Sequence, residues 1–130
     1  MTEYEIFDLA NSRQGLLANM SVLYLSLVSA YLVVAFLAGE KLSRKQVTIV
    51  TVLYIAWGAG NTFATLTSAY MLQGFNNQLM ALGAMDGFLA ANTFEVTSFY
   101  VLFVNGGAML ASLYFMWTVR KNRASAPESA

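Results

Sequence analysis

Three stretches without a single charged residue, Gln14 to Gly39, Gln46 to Met85 and Val96 to Val119, dictate what this chain can become. Within them lie hydrophobic segments at 16–38, 47–72 and 96–119, each longer than the ~20 residues that cross a hydrocarbon core of ~30 Å at 1.5 Å per residue. Only 11% of the 130 residues are charged and 58% are hydrophobic, far from a soluble domain, where about a quarter are charged. Too little polar surface remains to dissolve three such helices. The expected fold is an all-α integral membrane protein with three transmembrane helices, a single domain over residues 1–123 and a disordered tail at 124–130.

The seven bases and seven acids are segregated. Lys41, Arg44 and Lys45 join the first two segments and Arg120, Lys121 and Arg123 follow the third, whereas Glu3, Glu5, Asp8, Asp86 and Glu95 lie at the opposite ends with Arg13 as their only base. Positively charged loops stay in the cytoplasm, so the N-terminus is expected outside and the C-terminus inside. Trp117 and Tyr114 near the basic end, and Tyr70, Phe94 and Tyr100 near the other, suit aromatic belts at the two interfaces. The acids ahead of the first segment give the wrong sign for a signal peptide, so that segment is expected to be retained. Size and layout are those of a small multi-pass protein of a bacterial inner membrane.

Capping-box spacing marks helix starts, because an N-cap oxygen and the side chain three residues on each satisfy an amide that the helix leaves open. Ser43 with Gln46 predicts a helix from about Arg44, and Asn92 with Glu95 one from about Thr93. Asn11 with Gln14 is a looser match, placing the first start near Ser12. Between the second and third spans, Phe75, Leu79, Leu82, Met85 and Leu89 recur at helical spacing. This predicts a short amphipathic helix at about 77–86 on the outer membrane surface, followed by an Asp86-Gly87 turn; a re-entrant hairpin kinked at Gly83 or Gly87 is the alternative.

Inside the spans the informative residues are small and polar. Thr51, Tyr54, Gly58, Asn61, Thr65 and Ser68 follow one another at steps of three and four, the period of a helix contact. Ser98, Asn105, Ala108 and Ser112 repeat this in the third segment, and Asn19, Ser26 and Ser29 in the first. A second series, Ala56, Gly60, Ala64 and Ser68, places a small residue every four positions, and Gly107 with Ala111 forms another such pair, the spacing that lets helix backbones approach. Asn61 and Asn105 fall at one level, within about 4 Å of the mid-span. With Thr65 and Ser112 they form a candidate intramembrane polar site, either an interhelical hydrogen-bond set or a polar ring for water, an ion or a head group.

Composition also excludes chemistry. Without histidine or cysteine there is no His general base, Cys nucleophile, disulfide, zinc site or His-ligated haem. No ionisable group lies within a span to activate a serine or couple transport to protons. Glu95 reads as a cap and Asp86 as a turn residue. No enzyme, metal or cofactor is expected, and no nucleic-acid-binding pattern occurs. Two functions fit. One is a structural or accessory subunit that binds its own copies, or a larger membrane complex, through small-residue faces within the lipid bilayer. The other is a homo-oligomeric channel or transport component for a small neutral solute, ion or lipid.

Overall fold

The computed structural model describes residues 2–83 and 87–125, with the side chains of 87–93, 123 and 125 outside that set. Three helices, α1 (Glu3–Ala38), α2 (Arg44–Ala81) and α3 (Gly87–Ser125), form an up-down-up bundle in which each packs on both others. All three carry windows long and apolar enough to cross a membrane. Their outward surface is a wall of exposed apolar side chains, with Phe36, Phe63, Phe99 and Phe103 each more than 70% exposed. A surface so apolar needs a nonaqueous environment and argues for a membrane location.

The helices are 36, 38 and 39 residues long, roughly 54–58 Å at 1.5 Å per residue and well beyond what a bilayer core requires. The extra length comes from two starts and one end that lie elsewhere than expected. At the first, α1 begins at Glu3 and not near Ser12. Thr2 Oγ1 accepts from the Glu5 amide while Glu5 Oε2 accepts from the Thr2 amide, a complete capping box with Glu3 and Glu5 at the positive end of the helix dipole. The loose Asn11 and Gln14 pair therefore lies in mid-helix.

At the second, α2 does not stop at Leu72 to be followed by a separate helix over 77–86. It runs unbroken through Gln73 to Ala81. Leu72, Asn76 and Leu79 continue the buried line of Ser68, and Leu72 and Leu79 close on Ile6 and Ala10 of the extended α1, with Leu17 and Phe75 alongside. The periodicity that resembled an independent amphipathic helix is thus the far end of α2 keeping its phase. The helix ends where Gly83 takes a φ of 70° and its amide donates to the Met80 carbonyl. Only glycine adopts that left-handed conformation without a steric penalty, the usual way a helix stops. Residues 84–86 of the expected helix, Asp86 of the expected turn among them, lie outside the described residues.

At the third, α3 starts at Gly87, so Asn92 lies inside the helix and is not its cap, and Glu95 is an exposed mid-helix residue. The same helix takes in Ala124 and Ser125, the first two residues of the expected tail; 126–130 lie outside the described residues. The start of α2 needs no such adjustment. Ser43 Oγ accepts from the Gln46 amide and Gln46 Oε1 accepts from the Ser43 amide.

At the basic end, Arg120 of α3 donates from Nη1 to the Leu42 and Gly39 carbonyls, at 3.0 and 3.3 Å. Its charge sits at the negative end of the α1 dipole and ties the α1–α2 turn to α3. Lys121 lies 5.0 Å from the ring centre of Trp117, which in turn packs against Tyr114.

Candidate functional site

The interior of the bundle is built from hydroxyls and amides arranged in layers. Nearest the basic end, Tyr24, Val28, Tyr31 and Ala35 of α1 meet Tyr54 of α2 and Met116 of α3 in one buried cluster. The Tyr31 and Tyr54 rings stack at 4.1 Å and 15°. Each tyrosine hydroxyl then reaches another helix: Tyr31 pairs with Thr51 Oγ1 at 3.0 Å, Tyr54 with Ser112 Oγ at 2.8 Å, and Tyr24 donates to the Asn105 carbonyl at 2.5 Å. Ser112 gives its single proton to the Met109 carbonyl, so Tyr54 is the donor in their pair.

Alternating steps of three and four keep Tyr54, Gly58, Asn61, Thr65 and Ser68 on one sector of α2, and this stripe faces the centre of the bundle. Gly58 leaves room for side chains of both other helices. A Cβ there would run into Met109 Cε and touch the Tyr24 ring. In α1 the inward line is Tyr24, Val28, Tyr31 and Ala35, whereas Asn19, Ser26 and Ser29, read from the sequence as its polar contact face, are all exposed. Ser26 satisfies its own hydroxyl on the Val22 carbonyl. The signal for the true face was Tyr24, Val28, Tyr31 and Ala35 at steps of four, three and four, all apolar in body with two tipped by a hydroxyl.

Farther along, Asn61 Nδ2 donates to the Met20 carbonyl at 3.3 Å, and Thr65 Oγ1 donates to the Asn61 carbonyl at 2.8 Å. Asn105 Nδ2 meets Thr62 Oγ1 at 3.1 Å. The two asparagines thus hold α1 to α2 and α3 to α2, and do not pair with each other. Together they wall a cleft of about 220 Å³ between α1 and α3, the pair of helices in least contact. Ser21, Tyr24, Asn61, Thr65, Tyr100 and Asn105 supply its polar groups. Ser112, grouped with these from the sequence, is instead buried in the tyrosine layer.

The small-residue series divides. Steps of four drift by about 40° each on a helix of 100° per residue, so the series winds around α2: Ala56 and Gly60 are exposed, Ala64 is half-buried and Ser68 is buried. On α3, Gly107 and Ala111 are also exposed. Nothing lies within 4 Å of a Cβ built at Gly60 or Gly107. The contacts between α2 and α3 pair 54 with 112, 62 with 105 and 73 with 94. That antiparallel register sets Gly60 and Gly107 at the same level on the outside of the bundle. The chain matches no known protein family, no curated protein and no solved structure, so residues and geometry alone carry the functional reading.

Proposed function

We propose that this protein is a non-catalytic, multi-pass subunit of a bacterial inner membrane that assembles with further membrane helices, its own copies or a larger complex, through the outward small-residue faces of α2 and α3. The observation that carries this reading is the pair of open backbone positions, Gly60 and Gly107, level with each other and touched by nothing in the bundle. Exposed to lipid alone, a leucine would serve as well at either place; glycine and alanine allow a neighbouring helix backbone to approach closely. The protein lies with its N-terminus outside and its basic end in the cytoplasm, because six of the seven bases collect at the α1–α2 turn and the end of α3. The absence of histidine and cysteine from the chain, and of charge from the spans, supports a role without catalysis.

The alternative, a channel with polar stripes around an axis shared between copies, is less favoured. Tyr54, Gly58, Thr65, Ser68 and Ser112 are buried inside one copy and unavailable to line a shared pore.

Native mass spectrometry of the protein extracted gently from its own membrane tests the proposal. The wild type is expected as a defined oligomer or bound to a larger membrane protein. The double variant Gly60→Leu, Gly107→Leu is expected as a monomer with unchanged thermal stability, since both side chains point into open space. A wild-type monomer without partners, or an assembly indifferent to both leucines, overturns the reading.

A further inference from the structure

The cleft between α1 and α3 is separate from the outward faces and asks for a ligand of its own. Its walls hold no charged group, so an ionic head would enter without compensation. Its hydroxyl protons are largely spoken for: Ser21 donates to the Leu17 carbonyl, Thr65 to the Asn61 carbonyl and Tyr24 to the Asn105 carbonyl. Each asparagine has turned its nitrogen to a neighbouring helix. Among the described residues neither Asn61 Oδ1 nor Asn105 Oδ1 has a hydrogen-bond partner. The cleft therefore offers two amide oxygens as acceptors, beside the lone pairs of its hydroxyls, and suits a donor.

Size and position narrow the class further. A cavity of roughly 150 Å³ holds benzene, so about 220 Å³ admits one substituted ring. The mouth is apolar and lateral, flanked by the exposed Leu25 of α1 and Val104 of α3, with Tyr100 at its edge. Asn61 and Asn105 sit near mid-span, far from any phospholipid head group, so the ligand must itself dissolve in the bilayer and enter sideways.

We propose that this cleft binds the ring of a neutral, bilayer-dissolved compound of the phenol or hydroquinone class, its hydroxyl donating to Asn61 Oδ1 or Asn105 Oδ1 and its tail leaving between Leu25 and Val104. The site is complete within one copy and does not depend on how copies assemble.

The test uses the full chain in nanodiscs of zwitterionic lipid, with 4-octylphenol as probe and 4-octylanisole, which lacks the O–H donor, as comparison. The side-chain amide resonances of Asn61 and Asn105 are followed by NMR. Expected is a saturable shift of these two resonances by the phenol, with the anisole at least about fivefold weaker for the loss of one hydrogen bond. Val104→Trp and Ala108→Leu fill the mouth and the wall while leaving both amides in place, and each is expected to abolish saturation. Equal binding of phenol and anisole, a shift that does not saturate, or a filled cleft that binds as the wild type does overturns the proposal.

Discussion

Removing either partner of the Tyr54 and Ser112 hydrogen bond should destabilise the bundle unequally, and the inequality follows from who donates. Ser112 sends its proton to Met109, so Tyr54 must donate to Ser112. Tyr54→Phe keeps the ring, and with it the stack on Tyr31 at 4.1 Å, and leaves Ser112 still donating. The loss is one neutral hydrogen bond, about 1 kcal/mol. Ser112→Ala changes little volume but leaves the Tyr54 O–H, on a residue 3% exposed, with no acceptor, a cost of about 1–3 kcal/mol. Once the tyrosine hydroxyl is gone, the alanine adds little, so the double variant should cost about as much as Tyr54→Phe alone. The coupling between the sites is then about 1–3 kcal/mol, its lower part within the range found for polar pairs in membrane helices. Steric trapping in bicelles, with binding tags at the two ends of the chain, measures all four stabilities. A coupling below ~0.3 kcal/mol, or a larger cost for Phe than for Ala, refutes the assigned direction of the bond.

Two further expectations concern the ends of the bundle. Arg120→Gln removes the charge from the α1 terminus and weakens both carbonyl contacts, and should cost about 1–2 kcal/mol in the same assay; Arg120→Lys should recover more than half, because both bonds come from the one nitrogen Nη1 and an ammonium keeps the charge and more than one N–H. Leu79→Ala, at a side chain 1% exposed, should cost about 3 kcal/mol. Its effect should be local: hydrogen exchange of the Ile6 and Ala10 amides should accelerate while that of the tyrosine layer stays unchanged, and a uniform acceleration would show that the two clusters do not unfold separately.

Three apolar helices were legible in the chain because uncharged runs of this length admit few other folds. The inward face of α2 was legible too, since steps of three and four hold Tyr54, Gly58, Thr65 and Ser68 in phase. The inward face of α1 was not, because a search for small polar residues passes over Tyr24 and Tyr31, whose rings fill the core while their hydroxyls do the polar work. Thr2 and Glu5 carry a capping-box spacing as clear as that of Ser43 and Gln46. It is easily overlooked because the acids around it read as a solvated arm. The α2 extension was concealed by its own composition: Gln73, Gly74, Asn76 and Asn77 resemble a loop, and only the packing of Leu72 and Leu79 on Ile6 and Ala10 reveals them as helix. The cleft lay beyond sequence reasoning altogether. Asn61 and Asn105 share a level by arithmetic, but that both border one cavity without bonding each other depends on where α1 sits.

The helix lengths bear on the proposed assembly. Of the roughly 54–58 Å that each helix covers, a bilayer core accounts for ~30 Å. Arg120, Lys41 and Arg44 fix the basic end close to the membrane surface, so in the orientation we propose most of the surplus emerges on the outer side. What emerges there is α1 from Glu3 to about Gln14, α2 beyond about Gln73 and the first turns of α3, held by the cluster of Ile6, Ala10, Leu72 and Leu79. That head carries Glu3, Glu5, Asp8 and Glu95 against Arg13, whereas the open glycines lie at mid-span. In the proposed assembly the bundle would present two different surfaces at two heights, a neutral one to pack on helices in lipid and an acidic one to face water. A partner engaging both would have to be a membrane protein with an external portion of its own. A second copy related by a two-fold axis along the membrane normal would bring acidic heads together and gain only from the glycine faces. Acidic repulsion weakens as salt rises, so a homo-oligomer should tighten with ionic strength. A complex with a larger protein whose external surface is basic should loosen.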